Sequence, residues 1–159
     1  IKGDAYGHGI TECTRIFLSE GCRAFALASV EEALCTKRVC DRLGVKADIL
    51  ILGATEPALI GEVGRQDLIQ TIPSFDYAKK LSHAALAAGV TVRAHIKLDT
   101  GMNRIGLDAE DCDGCERVIR KYAEILQRIE IMKKCLFQVI PLKCKNNHCP
   151  NVCFILHCV

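Results

Sequence analysis

Residues Ala24–Gly53 read AFALASVEEALCTKRVCDRLGVKADILILG, and this stretch decides the fold. Two short apolar runs, Ala24–Ala28 and Asp48–Leu52, flank one helical segment. Ser29 opens that helix in the pattern S-V-E-E. The Ser29 hydroxyl can accept from the Glu32 N–H while the Glu32 carboxylate reaches back, which satisfies amides that have no helical acceptor. Gly44 stops the helix, and the second run ends at Gly53. A strand, a helix and a second strand in 30 residues form the unit of a parallel sheet, because a parallel neighbour is reached only through a crossover.

The same alternation continues downstream. Pro57 suits the first turn of a short helix, and Leu68–Ile72 is the next strand. Ser74 caps a helix through FDYAKKLSHAALAA that Gly89 closes. Val90–Leu98 is a further strand, and a helix is expected from about Glu110 to Gln127. Repeated β/α units place helices outside a parallel sheet. Periodicity alone leaves two architectures open, an open doubly wound sheet and a (β/α)8 barrel. Both carry their chemistry at the carboxyl ends of the strands. No G-x-G-x-x-G follows a strand, so a dinucleotide-binding fold loses support.

The chain has 159 residues, half of them apolar, with a formal net charge of +2. That is enough for one domain with a real core, and too little charge to point to nucleic acid or membrane as a partner. No apolar run is long enough to span a bilayer. No signal peptide is read, so a cytoplasmic location is the expectation. After about Ile129 the character changes: the tail crowds five of the eleven cysteines into little periodic pattern. The division expected is therefore 1–129 as the α/β portion and 130–159 as a Cys-rich tail, diverged or frame-shifted. Cys112 and Cys115 are spaced C-x-x-C without a second such pair, and the tail set Cys144, His148, Cys149, Cys153, His157 and Cys158 is irregular. No metal is assigned to either, since structural zinc needs four ligands at regular spacing; a metal-binding tail stays as an alternative.

Two motifs carry chemistry. Ile1–Gly9 reads IKGDAYGHG, a lysine followed by a Gly/Asp/Tyr/His loop. At a strand end Lys2 would be partly desolvated, which frees its amine to attack a carbonyl; the alternative is a surface lysine before a turn. His95–Leu107 reads HIKLDTGMNRIGL. On a strand, His95, Lys97 and Asp99 share one face, and polar groups there are costly unless paired. Arg104 follows a glycine turn and can return to the same mouth; a structural ion-pair cluster is the alternative.

K-G-D-A-Y-G-H-G resembles the cofactor signature of alanine racemases, and H-I-K-L-D-T-G-M-N-R-I-G resembles a second block of that family. FALASVEEAL and ILGATEP resemble the segments between them. The resemblance covers roughly residues 1 to 129. It implies an α/β fold, a partial (β/α)8 TIM barrel of about half the strands, with the family's C-terminal β-domain absent. It implies pyridoxal 5'-phosphate as cofactor and the interconversion of L- and D-alanine, which supplies D-alanine for peptidoglycan. By the same resemblance Lys2 is the catalytic lysine that binds the cofactor covalently and moves a proton on one face. Tyr6 contacts the cofactor phosphate. Arg104 binds cofactor and substrate carboxylate, and Lys97 is the lysine carbamylated in many members. Asp4 and His8 are expected to shape the loop, and Asp99 and Met102 receive no catalytic role.

The resemblance also implies a homodimer whose second base is a tyrosine of the C-terminal domain, reaching across from the partner. Tyr6, Tyr77 and Tyr122, the tyrosines here, belong to no such domain. The strand leading into Lys2 is reduced to Ile1. The expectation is an incomplete chain with little or no activity of its own. Alternatives are a serine racemase variant and a non-catalytic barrel that binds the same cofactor.

Overall fold

The computed structural model describes residues 1–99, 103–108, 137–140 and 155–158. Four parallel strands form its centre: β1 (Ala24–Leu27), β2 (Asp48–Ile51), β3 (Ile69–Ile72) and β4 (Arg93–Asp99), in that spatial order. Pairing aligns Leu27 with Ile51, Ile51 with Gln70, and Gln70 with Ala94. Because side chains alternate along a strand, this register sorts the sheet into two faces. Phe25, Leu27, Ile49, Ile51, Ile72, Ala94 and Ile96 are all buried and lie in the core on one face. Leu50, Ile69, Thr71, His95, Lys97 and Asp99 fall on the other.

Helices α3 (Val30–Arg42), α4 (Ile60–Arg65) and α5 (Phe75–Ala88) are the crossovers, and α2 (Ile10–Ser19) packs beside α3. In α3, Val30, Ala33, Thr36, Val39 and Cys40 are buried, the three-to-four spacing of one helix face. Ser29 accepts from the Glu32 amide at 3.4 Å, and Ser74 accepts from the Tyr77 amide at 3.2 Å, so both serine caps form, while the Glu32 carboxylate of the expected capping box reaches past Ser29 to the Ala28 amide at 2.9 Å. Gly89 ends α5 at φ 64, a left-handed conformation that costs an L residue a clash with its own Cβ. Pro57–Leu59 is a single 3-10 turn leading into α4, so the proline opens a tighter turn than the helix expected there.

Three features go beyond the sequence reading. The segment Ile10–Ser19 is helical, where no helix was assigned. β5 (Leu107–Asp108) pairs in parallel with the end of β4. The tail, read as having little pattern, contributes β6 (Phe137–Ile140) and β7 (Ile155–Cys158). β7 pairs antiparallel with β4, His95 opposite His157, and β6 pairs with β7. The helix expected at Glu110–Gln127, the C-x-x-C pair and the boundary after Ile129 lie outside the described residues. Among the described residues no helix is long and apolar enough to cross a membrane.

Candidate active site

Lys2 leaves the sheet beside β1. The β2 amides of Asp48 and Leu52 bond the carbonyls of Arg23 and Leu27. The Ala26 carbonyl therefore faces the opposite edge of β1, and there it accepts from the Ile1 nitrogen at 2.7 Å. Lys2 is extended, at φ −153 and ψ 159. The next element, α1 (Gly3–Tyr6), is one turn of left-handed helix, with φ of 55, 51, 57 and 55 at Gly3, Asp4, Ala5 and Tyr6. The turn is closed by Tyr6 N to Lys2 O at 3.1 Å and Gly7 N to Gly3 O at 3.2 Å.

A left-handed turn costs an L residue about 1–2 kcal/mol, so Asp4, Ala5 and Tyr6 together store a few kcal/mol. Such strain persists only where the surroundings over-determine it, and they do. The Asp4 carboxylate accepts from Ile10 N at 2.8 Å, capping α2 as well as bracing the loop. Glu32 accepts from Gly3 N at 2.7 Å, and Ala5 is buried. The expectation that Asp4 shapes the loop thus has its contact. Among the described residues the Lys2 side chain is exposed, without the partial desolvation expected of it, and its Nζ lies 5.5 Å from the centre of the Tyr6 ring. Tyr6 is itself 76% exposed, because the left-handed turn carries its side chain away from the core.

The second group stands at the end of β4. Asp99 is buried, and its carboxylate accepts from Asn103 N at 2.9 Å and Arg104 N at 2.8 Å. Two backbone donors satisfy the charge that burial would otherwise penalise. The turn they hold presents the Arg104 side chain to solvent. Lys97 is half-buried two positions before Asp99, on the same face. Asp99, given no catalytic role from sequence, is the residue that fixes the arginine loop.

Between the two groups runs a hydrogen-bonded chain that sequence reasoning missed. Gly53 N bonds Ala28 O at 3.1 Å, and a Cβ on Gly53 would stand 2.6 Å from that oxygen, so only glycine allows the approach. The Gly53 carbonyl accepts from Gln70 Nε2 at 2.7 Å, and Gln70 Oε1 accepts from Thr55 Oγ1 at 2.6 Å. The Tyr77 hydroxyl accepts from Thr55 N at 2.8 Å and donates to Thr55 O at 3.1 Å. Burial pushes the Tyr77 hydroxyl pKa up, against the pull of its bonds to Thr55. This chain fixes the loop after β2 at the carboxyl edge of the sheet. The parallel register brings Lys2, Tyr6 and Arg104 to that one edge, in two groups with β1, β2 and β3 between them.

Residues 1–133 match the family described as alanine racemase, N-terminal domain. The chain belongs to that family. Alanine racemase 1 of Clostridium acetobutylicum is 41% identical over 106 residues, covering 67% of this chain and 26% of that protein. The solved alanine racemase of Clostridium difficile 630 superposes with a TM-score of 0.66 at 27% identity, covering 82% of this chain and 32% of that one. The alanine racemase of Bartonella henselae, solved with covalently bound pyridoxal phosphate, gives a TM-score of 0.63 at 25% identity, over 82% of this chain and 35% of that one. The chain spans between about a quarter and a third of the length of these relatives. Its parallel β/α succession is therefore part of a (β/α)8 barrel, as the resemblance of this alanine racemase family member implied.

Proposed function

We propose that this chain is the barrel portion of a pyridoxal-phosphate-dependent racemase that interconverts L- and D-alanine, supplying D-alanine for peptidoglycan. The observation that carries the reading is the common edge. The lysine turn beside β1 and the Asp99-held arginine loop after β4 occupy the carboxyl end of one parallel sheet, the end at which barrel enzymes place their chemistry.

The donor set suits the cofactor: a primary amine for an aldehyde, a phenol O–H for a phosphate and a guanidinium for an anionic oxygen. Lys2 and Tyr6 are both exposed, and a Cβ built on Gly3, Gly7 or Gly9 meets no described atom within 4 Å. Nothing among the described residues crowds the loop at these three glycines. When bound, pyridoxal phosphate supplies an electron sink for charge developing at the amino-acid Cα. Lys2 would hold the cofactor through its amine and would move the Cα proton on one face. Tyr6 donates to the phosphate. Arg104 binds the substrate carboxylate through its planar fork. Lys97, once its amine had added carbon dioxide and lost a proton, would orient Arg104 as a carbamate.

The opposite face needs a second base. The Tyr77 hydroxyl is engaged with Thr55, and Tyr6 stands beside Lys2. The resemblance to the family implies a tyrosine from a partner subunit for this role, and on that reading the 159 residues alone would have little or no turnover. Titrating the chain with pyridoxal phosphate should give an adduct absorbance that Lys2→Ala abolishes. An absorbance indifferent to Lys2 would overturn the reading, and robust D/L interconversion by the chain alone would remove the need for the second base.

A further inference from the structure

Glu32 is not among the groups the proposed reaction uses, yet it controls how Lys2 leaves the sheet. Its Oε1 accepts from Gly3 N at 2.7 Å and its Oε2 accepts from Ala28 N at 2.9 Å. Gly3 follows Lys2, and Ala28 follows the last residue of β1. One carboxylate therefore ties the start of the left-handed turn to the end of the neighbouring strand.

The peptide unit between Lys2 and Gly3 is gripped from both ends. Its C=O accepts from Tyr6 N at 3.1 Å, and its N–H donates to Glu32. Holding that plane fixes ψ of Lys2, and the Ile1 bond to Ala26 holds the residue before it. The Cα–Cβ direction of Lys2 is thereby set. The Gly3 amide opens a one-turn helix and has no acceptor within it, so the bond from outside is required. Glu32 is well placed to give it, since it stands in the first turn of α3, and sites supported by helices are held more closely than sites on loops.

We propose that Glu32 is a positioning residue for Lys2, bridging Gly3 and Ala28 so that the lysine amine is presented to pyridoxal phosphate in one direction. The proposal rests on Lys2 being the cofactor lysine. Glu32 acts through the main chain of Gly3.

The test compares Glu32→Ala, Glu32→Gln and Ser29→Ala in the 159-residue chain. Two quantities are read: hydrogen exchange of the Gly3 amide without cofactor, and the pyridoxal phosphate concentration that half-saturates the Lys2-dependent adduct. Loss of a charge-assisted bond predicts about tenfold faster exchange and about tenfold weaker cofactor capture in Glu32→Ala. Glu32→Gln, isosteric and suited to the case where the alanine variant does not fold, should fall between, since an amide offers one acceptor oxygen to two N–H donors. Ser29→Ala removes the helix cap without touching Gly3, so it should lower the melting temperature and leave both readouts at parent values. Parent-like capture in both Glu32 variants, or equal weakening in Ser29→Ala, overturns the proposal. If the parent forms no Lys2-dependent adduct, the cofactor reading falls and takes the presentation of Lys2 with it. Gly3 exchange, read without cofactor, separates that failure from failure of the clamp itself.

Discussion

The Asp99 carboxylate holds Arg104 by its main chain: Oδ2 accepts from Arg104 N at 2.8 Å, while Oδ1 takes the Asn103 amide at 2.9 Å. These bonds reach the arginine through the main chain, and its side chain is exposed. Asp99→Ala would strand two amides and empty a buried site. A hydrogen bond to a charged group contributes about 1.5–3 kcal/mol, so with two bonds lost the variant should lose about 3–6 kcal/mol of unfolding free energy by denaturant titration. Asp99→Asn keeps one acceptor and should lose about half as much. A loss below about 0.5 kcal/mol in Asp99→Ala would show that the loop is held by other contacts.

Tyr77 makes a prediction in alkaline solution. Burial raises its pKa above the ordinary tyrosine value. Between the unfolded and the folded pKa the unfolded chain sheds a proton that the folded chain keeps. Stability from this group is therefore fully present below about pH 10 and is lost as pH rises above it. Tyr77→Phe should cost about 2 kcal/mol near neutrality, since Thr55 loses partners for its N–H and C=O. It should also flatten the fall of melting temperature above pH 10. An unchanged alkaline slope in the variant would place the titration elsewhere.

The legible parts of the fold are those whose signals are local. Ser29 and Ser74 sit where a cap must sit, and the runs Ala24–Ala28 and Asp48–Leu52 are short, apolar and bounded by Ser29 and Gly53, as buried strands are. The helix α2 was not legible because its cap is not local: the Ile10 amide is met by Asp4, six residues upstream. The left-handed turn was hidden for a similar reason. Ala5 and Tyr6 carry no preference for the positive φ they adopt and Asp4 only a weak one, and contacts from Glu32 and Ala5 burial impose it. The site was half legible. The motifs named Lys2, Tyr6, Lys97 and Arg104, but Gln70 and Tyr77 read as an ordinary strand residue and an ordinary helix residue. Their partners lie 15 and 22 residues away in sequence, so only the folded chain joins them.

Core burial separates two isoleucines. Ile51 has no exposed surface and sits among Leu27, Ile49 and Ile72, whereas Ile16 is 58% exposed on α2. Truncating a buried isoleucine costs the transfer of its methyl groups plus the cavity left behind, about 2–5 kcal/mol. Ile51→Ala should therefore shift the denaturation midpoint by that equivalent, and Ile16→Ala should stay within about 0.5 kcal/mol. Equal effects would mean that α2 has a covered face which the described residues leave open.

The left-handed turn gives the sharpest contrast between two alanines. Ala5 sits at φ 57 and Ala85 lies fully buried inside α5. Glycine at Ala85 loses helix propensity and a buried methyl, together about 1.5–2 kcal/mol. At Ala5 the same change loses a buried methyl, about 0.8 kcal/mol, and loosens the unfolded chain by about 0.4–1 kcal/mol. Against this, it relieves the left-handed clash of about 1–2 kcal/mol. The terms nearly cancel, so Ala5→Gly should be neutral within about 0.5 kcal/mol while Ala85→Gly is clearly destabilising. Thermal or denaturant unfolding of the two variants measures the difference directly. A destabilisation of Ala5→Gly equal to that of Ala85→Gly would mean that residues 3–6 do not hold the left-handed conformation in solution.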